Sequence, residues 1–258
     1  MQALTLPSRR GWHWLYDGFG IFRRNQLVLS LAVLGYWMLM ALISSFPLIG
    51  QVAAPLLIPV FTVSLMNACR LLAQGGPLPP HLLFSGFQKN LRALLVLGAV
   101  YIVVGVVVLG IVASVDDGVL FRLVVLGQRP GKQVLTSDSV MFGGQLALLL
   151  FLPLMMAYWY APMLVAWHDL SAGKSLFFSF VACLRNWRAF LVYSVATLVV
   201  GALIPGVLVG LFSALFAGVG ELFSVVLTAV TVFTLVPTLY ASFYVSYRDV
   251  FVTIDENV

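Results

Sequence analysis

Apolar and polar positions alternate along this chain on the scale of whole segments rather than single residues. Six runs without Asp, Glu, Lys or Arg extend over approximately 26–46, 49–69, 93–115, 141–167, 190–212 and 222–246. Each is long enough, at about 1.5 Å of rise per residue, for a helix to cross ~30 Å of hydrocarbon. A segment in lipid must satisfy its own backbone hydrogen bonds, and these runs lack the strict alternation of outer-membrane strands. The pattern therefore predicts an all-α membrane protein, a single integral membrane domain over 1–258 with six transmembrane helices. A charge-free turn at Phe46 and Pro47 separates the first two runs, and the one sizeable polar loop, Asp116 to Ser139, separates the third and fourth. The spans are expected to pair as three hairpins.

A second, shorter pattern precedes each odd-numbered span. When Asn25, Asn90 and Asn186 are superposed, a basic residue stands just before each (Arg24, Lys89, Arg185) and a phenylalanine six residues before (Phe19, Phe84, Phe180). Apolar residues recur there at helical intervals, as in Trp12, Leu15, Tyr16, Phe19 and Phe22, which predicts three short amphipathic helices in the cytoplasmic interface. The even-numbered spans echo one another less completely: Pro59, Ser64 and Arg70 share the spacing of Pro237, Ser242 and Arg248, whereas the middle copy ends in Trp167, His168 and Asp169. The repeat has two readings, a symmetric lipid or transport site between copies and a duplicated packing unit.

Composition agrees with the spans: 62% of the 258 residues are hydrophobic and 9% charged, against about 25% charged in soluble domains. The net charge of +5 does not form a dense basic stripe, so no nucleic-acid partner is expected. The basic residues flank the spans instead. With a cytoplasmic N-terminus, eleven Lys and Arg fall inside and only Arg122, Arg129 and Lys132 outside, which predicts cytoplasmic termini in a bacterial inner membrane. Arg9 and Arg10 superficially evoke a twin-arginine signal, but the run that follows is too long for one and lacks a small-residue cleavage site, so a retained first span is expected. Cys69 and Cys183 fall near cytoplasmic ends, where no structural disulfide is expected.

The stretches Tyr160-Ala161-Pro162, Ala166-Trp167-His168-Asp169, Ser179-Phe180, Ala182-Cys183-Leu184-Arg185-Asn186-Trp187 and Phe190-Leu191-Val192-Tyr193, with Trp12 and Arg23 to Asn25, resemble a proteobacterial family of multi-pass inner-membrane proteins. The likeness covers most of the chain. More distantly, the Phe-rich segment ending in Arg-Asn-Trp resembles membrane domains attached to some glycerophosphodiester phosphodiesterases. The resemblance implies an inner-membrane location and a phospholipid connection, and it brings no catalytic residues with it.

Candidate chemistry is sparse. No Asp, Glu, Lys, Arg or His lies in the middle of a span, which argues against a proton relay at membrane depth. Trp12, Trp14, Arg23, Arg24, Lys89, Arg185, Trp187 and Arg188 make a collar of aromatic and basic residues suited to phospholipid headgroups, or to generic anchoring. In the sixth span Ser224, Thr228, Thr231, Thr234, Thr238, Ser242 and Ser246 fall within a face about 120° wide. Thr228, Thr231, Thr238 and Ser242 could line a hydrated path, or the hydroxyls could bond to carbonyls and neighbouring helices. Gln51, Asn67 and Gln145 have the same two readings. Gly206 and Gly210, extended by Ala214 and Gly218, predict close helix approach.

His13, His81 and His168 have no metal-ligand spacing, and neither a metal nor another cofactor is expected. His168 beside Asp169 is the best acid/base candidate, but adjacent helical residues point some 100° apart. The expectation is a non-enzymatic, lipid-interacting envelope or scaffold component. The alternative is a permease for a neutral or amphiphilic solute, and a homo-oligomer or another membrane partner is compatible with either.

Overall fold

The computed structural model describes residues 3–46, 49–76, 79–128, 131, 134, 137–216 and 220–251. Pro47, Arg129, Lys132 and Gly218, invoked above, lie outside the described residues. The helices are α1 (Arg10–Phe22), α2 (Gln26–Ser44), α3 (Ile49–Ala73), α4 (Leu91–Ala113), α5 (Val119–Val125), α6 (Asp138–Trp159), α7 (Ala161–His168), α8 (Ala172–Arg185), α9 (Trp187–Leu198), α10 (Ile204–Leu215) and α11 (Gly220–Phe251). A 3₁₀ segment, Pro80–Gln88, precedes α4, and a π turn, Val199–Leu203, joins α9 to α10. No strand occurs among the described residues.

Six helical stretches are long and apolar enough to cross a membrane: Gln26–Ser44, Ile49–Ala73, Leu91–Ala113, Asp138–His168, Trp187–Leu215 and Gly220–Phe251. They coincide with the six predicted runs to within a few residues. The fourth and fifth stretches are not regular throughout, and proline accounts for both interruptions. Pro162 has no N–H to give to the carbonyl four residues back, and the helix breaks at Tyr160 between α6 and α7. The hydroxyl of Ser179 enters the gap. It donates to the Met156 carbonyl (2.8 Å) and accepts from the Tyr160 N–H (2.9 Å), bridging two groups that would bond directly in an unbroken helix. In the fifth stretch the π turn lies immediately before Pro205, a local widening that accommodates the missing donor.

The three asparagines occupy equivalent places. Each is the joint between a short helical segment and the span after it: Asn25 between α1 and α2, Asn90 between the 3₁₀ segment and α4, Asn186 between α8 and α9. Asn25 accepts from the Val28 N–H (3.2 Å), closing the first turn of α2. Asn90, at φ 50°, donates to the Val165 carbonyl and to Asp169. Asn186 is buried and donates to the carbonyls of Leu4 and Ala182 while accepting from the Leu6 N–H. The second short segment is 3₁₀ where an α-helix was expected; Pro79 and Pro80 at its entry withhold backbone donors.

The chain forms two compact units. The first holds Met1–Met38, Val63–Gly86 and Val181–Val258. In it α1 packs on α9 and α11, and α10 packs on α11. The second holds Leu39–Thr62 and Phe87–Phe180, with α4 packed on α5, α6 and α7. Tyr158 donates to the Leu97 carbonyl (2.6 Å), and a Cβ at Gly98 would meet the Leu56 carbonyl oxygen at 2.4 Å. The buried Asp116 accepts from the N–H groups of Gly118 and Leu120 at the start of α5.

Candidate functional site

The most elaborate polar and apolar surfaces belong to the first unit and are organised by α1. Its residues Gly11, Trp14, Leu15, Gly18, Ile21 and Phe22 recur every three or four positions and are buried, the stripe expected of a helix lying on others. Gly11 and Gly18, two turns apart, bring the backbone close: a Cβ at Gly11 would fall 2.0 Å from the Ala189 carbonyl oxygen, and one at Gly18 would fall 2.6 Å from the Ser242 nitrogen. The opposite side of α1 exposes Trp12, Tyr16 and Phe19.

A charged cluster ties this helix to the end of α11. Asp249, 11% exposed at its side chain, accepts from Arg10 Nε (2.9 Å), from Arg10 Nη2 and from Trp14 Nε1 (3.0 Å). Arg10 also lies 3.5 Å from Asp17, and Arg248 lies 3.5 Å from Asp249. The Leu4 N–H donates to the Val250 carbonyl, which draws the segment before α1 onto the same helix end. Charge-assisted bonds of this kind are short and strong where water is partly excluded.

Two hollows open on the exposed side of α1. One, of about 350 Å³, is an apolar groove between α1 (Trp12, Phe19), α10 (Ile204, Leu208) and α11 (Thr231, Thr238). The other, of about 460 Å³, is lined by Arg23, Arg24, Arg248 and Asp17. Tyr16 and Phe19 line both. The Arg23 guanidinium stands over the Phe19 ring, 5.7 Å from its centroid, within cation–π range. Arg24 donates to the carbonyls of Leu72 (3.1 Å) and Ala73 (2.6 Å) at the end of α3, where such carbonyls lack helical partners.

The structure disperses the rest of the collar. Trp14 is fully buried and held by Asp249, so its ring belongs to the packed interior and not to a headgroup layer. Trp12 and Trp187 are exposed. Arg188 lies over the Trp187 ring at 5.5 Å, and Arg185 donates to Thr5 (3.2 Å). Lys89 is exposed just before α4, in the second unit.

The hydroxyl stripe is turned largely toward its own helix. Thr234 donates to Val230, Thr238 to Thr234, Ser242 to Leu239 and Ser246 to Phe243, all between 2.7 and 2.8 Å. Ser242 is buried and meets the Tyr193 hydroxyl at 2.7 Å, so it lines no path; contact with Gly18 and Tyr193 encloses it. Thr231 and Thr238 line the apolar groove, and Thr228 is exposed.

Gly206 and Gly210, expected to permit close approach, have no atom of the described chain within 4 Å of a Cβ placed on them. Glycines whose Cβ would meet a backbone atom at such close range include Gly11, Gly18, Gly50 and Gly98. The first two, seven residues apart, lie on the face of α1 opposite Trp12, Tyr16 and Phe19, so the apolar periodicity read from the sequence, which included those three residues, did not mark them. Asp169 takes up a left-handed conformation at the end of α7 and accepts from Asn90, while His13 Nδ1 lies 2.9 Å from the Arg9 carbonyl oxygen. Cys69 and Cys183 are both buried.

Six apolar helices of spanning length in an all-helical chain define a polytopic membrane protein. A protein of Burkholderia thailandensis named as a probable inner membrane protein is 35% identical over 257 residues, covering 97% of this chain and 94% of that protein. The chain belongs to that family of inner membrane proteins. No family model matches it, so the likeness to phosphodiesterase membrane domains finds no support. No solved structure matches it either.

Proposed function

We propose that this protein is a phospholipid-engaging component of the bacterial inner membrane, with both termini in the cytoplasm, that acts by binding rather than by catalysis. One observation carries the reading: α1 buries one face against α9 and α11 while its other face exposes Trp12, Tyr16 and Phe19, with Arg23 and Arg24 directly after its last turn. A helix so divided suits the boundary between headgroups and acyl chains, aromatic rings at the interface and guanidinium groups toward phosphate. Exposed Trp187 with Arg188 repeats the chemistry at the start of α9. The excess of basic residues on one side of the spans supports the cytoplasmic assignment. A permease path along α11 has less support, because Thr234, Thr238, Ser242 and Ser246 bond to carbonyls of their own helix. The His168 and Asp169 pair has little support as a catalytic centre, since Asp169 closes a helix end against Asn90.

Two measurements test the reading. In spheroplasts, a membrane-impermeant maleimide should label Gln128→Cys directly and Ser8→Cys only after permeabilisation; both positions are exposed, and the native thiols are buried. The reverse pattern would refute the orientation. In nanodiscs of mixed phosphatidylethanolamine and phosphatidylglycerol, the protein should enrich the anionic lipid around itself, and the Arg185→Gln/Arg188→Gln double variant should reduce that enrichment. Equal lipid composition around the wild-type protein and in the bulk would refute lipid engagement.

A further inference from the structure

The two hollows on α1 differ in chemistry but share a wall, and together they have the polarity of one amphiphile. The groove is apolar along Trp12, Phe19, Ile204 and Leu208. Of the three hydroxyls that α11 brings to it, those of Thr234 and Thr238 donate to carbonyls of their own helix. Beyond Tyr16 and Phe19 the surface becomes cationic: Arg23, Arg24 and Arg248 line it with Asp17, which already has Arg10 at 3.5 Å, while Arg248 lies 3.5 Å from the Asp249 carboxylate that Arg10 also engages. Arg23 stands above Phe19, where one hollow gives way to the other.

We infer that the groove and the basic hollow form a single site for one anionic phospholipid of the bilayer, its phosphate between Arg23 and Arg248 and one acyl chain along the groove. The inference rests on the lipid-engaging reading and narrows it from a collar to a slot. Charge complementarity selects the occupant: arginine forks match phosphate oxygens, and the groove offers a chain a mostly apolar wall. Arg24 acts as a positioning residue, because its bonds to Leu72 and Ala73 fix the wall of the hollow. Chain burial alone adds little selectivity, since the bilayer outside is equally apolar. Discrimination therefore comes from the headgroup end, while the groove holds the lipid in place.

Native mass spectrometry of the full chain, released from phosphatidylethanolamine nanodiscs containing a minor share of phosphatidylglycerol, tests this. The wild type should retain one phosphatidylglycerol through delipidation. Arg23→Gln/Arg248→Gln should lower the retained fraction roughly tenfold, and Leu208→Trp, which fills the groove from a half-exposed position, should do so comparably. Leu208→Trp should leave the anionic enrichment of the surrounding annulus unchanged, because it leaves the collar intact. A phosphatidylglycerol with a diazirine in one acyl chain should label peptides from α1 and α10 of the wild type, so the site is also read without a variant. Annular enrichment without any tightly retained lipid, retention unaffected by Leu208→Trp, or labelling confined to other helices would each overturn the slot while leaving lipid engagement standing. Absence of both enrichment and retention would overturn the two together.

Discussion

Helices α1 and α10 each carry a pair of glycines on one face, Gly11 with Gly18 and Gly206 with Gly210, and the two pairs do opposite things. On α1 the missing side chains let the helix backbone settle against Ala189 and Ser242. On α10 the glycines face open space within the described chain. The better-known spacing, four residues apart inside a transmembrane run, marked the pair that no other described residue approaches within 4 Å of a Cβ. Small residues record that a surface is shallow; whether another helix fills the shallow place depends on where the chain returns.

The comparison can be broken most sharply at Gly11. Gly11→Leu must displace the Ala189 carbonyl, a backbone atom, and should cost about 3 kcal/mol or more, since overpacking a tight contact typically costs 1–3 and a backbone cannot swing aside. The two buried thiols offer a direct readout: a thiol-reactive fluorophore should report a lowered unfolding midpoint in detergent. An unchanged midpoint would mean that α1 does not lie against α9.

The charged cluster is the next test. Asp249→Ala removes the acceptor of Arg10 and Trp14 and should destabilise by roughly 1.5–3 kcal/mol, the range for hydrogen bonds to charged groups, reduced by the partial exposure of Arg10. Because α1 is held to α11 there, the variant should also speed proteolysis of the first twenty or so residues, about the length through α1. A normal midpoint with unchanged proteolysis would assign the anchoring to apolar packing alone.

Ser179→Ala removes the hydroxyl that bridges Met156 and Tyr160 and should cost about 1–2 kcal/mol, because a buried N–H and a partly buried carbonyl lose a partner. Ser179→Thr, which keeps the hydroxyl, should recover part of the loss. The smallest effect belongs to the second glycine pair: Gly210→Leu should leave the midpoint within about 0.5 kcal/mol, as surface changes usually do. A large loss there would show that α10 docks against something outside the described chain.

Much of the architecture was legible beforehand. The six spans and the joints at Asn25, Asn90 and Asn186 follow from local periodicity, whereas the periodic set Trp12, Leu15, Tyr16, Phe19 and Phe22 does not mark the buried face of α1, because Trp12, Tyr16 and Phe19 are exposed. The site was legible only in parts. Arg23, Arg24, Trp12, Thr231 and Thr238 were singled out for separate reasons, some for lipid headgroups and others for a solute path, yet they line two adjoining hollows on the same helix. Arg248 counted only toward topology until it appeared beside Arg23. Trp14 could not be told from Trp12 by spacing from the spans alone, and it turned inward because Asp249, more than two hundred residues away, waits there for its N–H.

What the sequence determined by itself is the set of elements that answer to the solvent: which stretches are apolar enough to enter a bilayer and how long they are. Those properties are sums over neighbouring residues, so transfer energies settle them before any two helices meet. The tertiary structure alone decided which polar groups find partners, since a hydroxyl in a span can turn to its own carbonyl, to Tyr193 or into a broken helix at Tyr160 with similar local energy. Contacts between residues far apart along the chain separate those choices, and no local window contains both halves of such a contact.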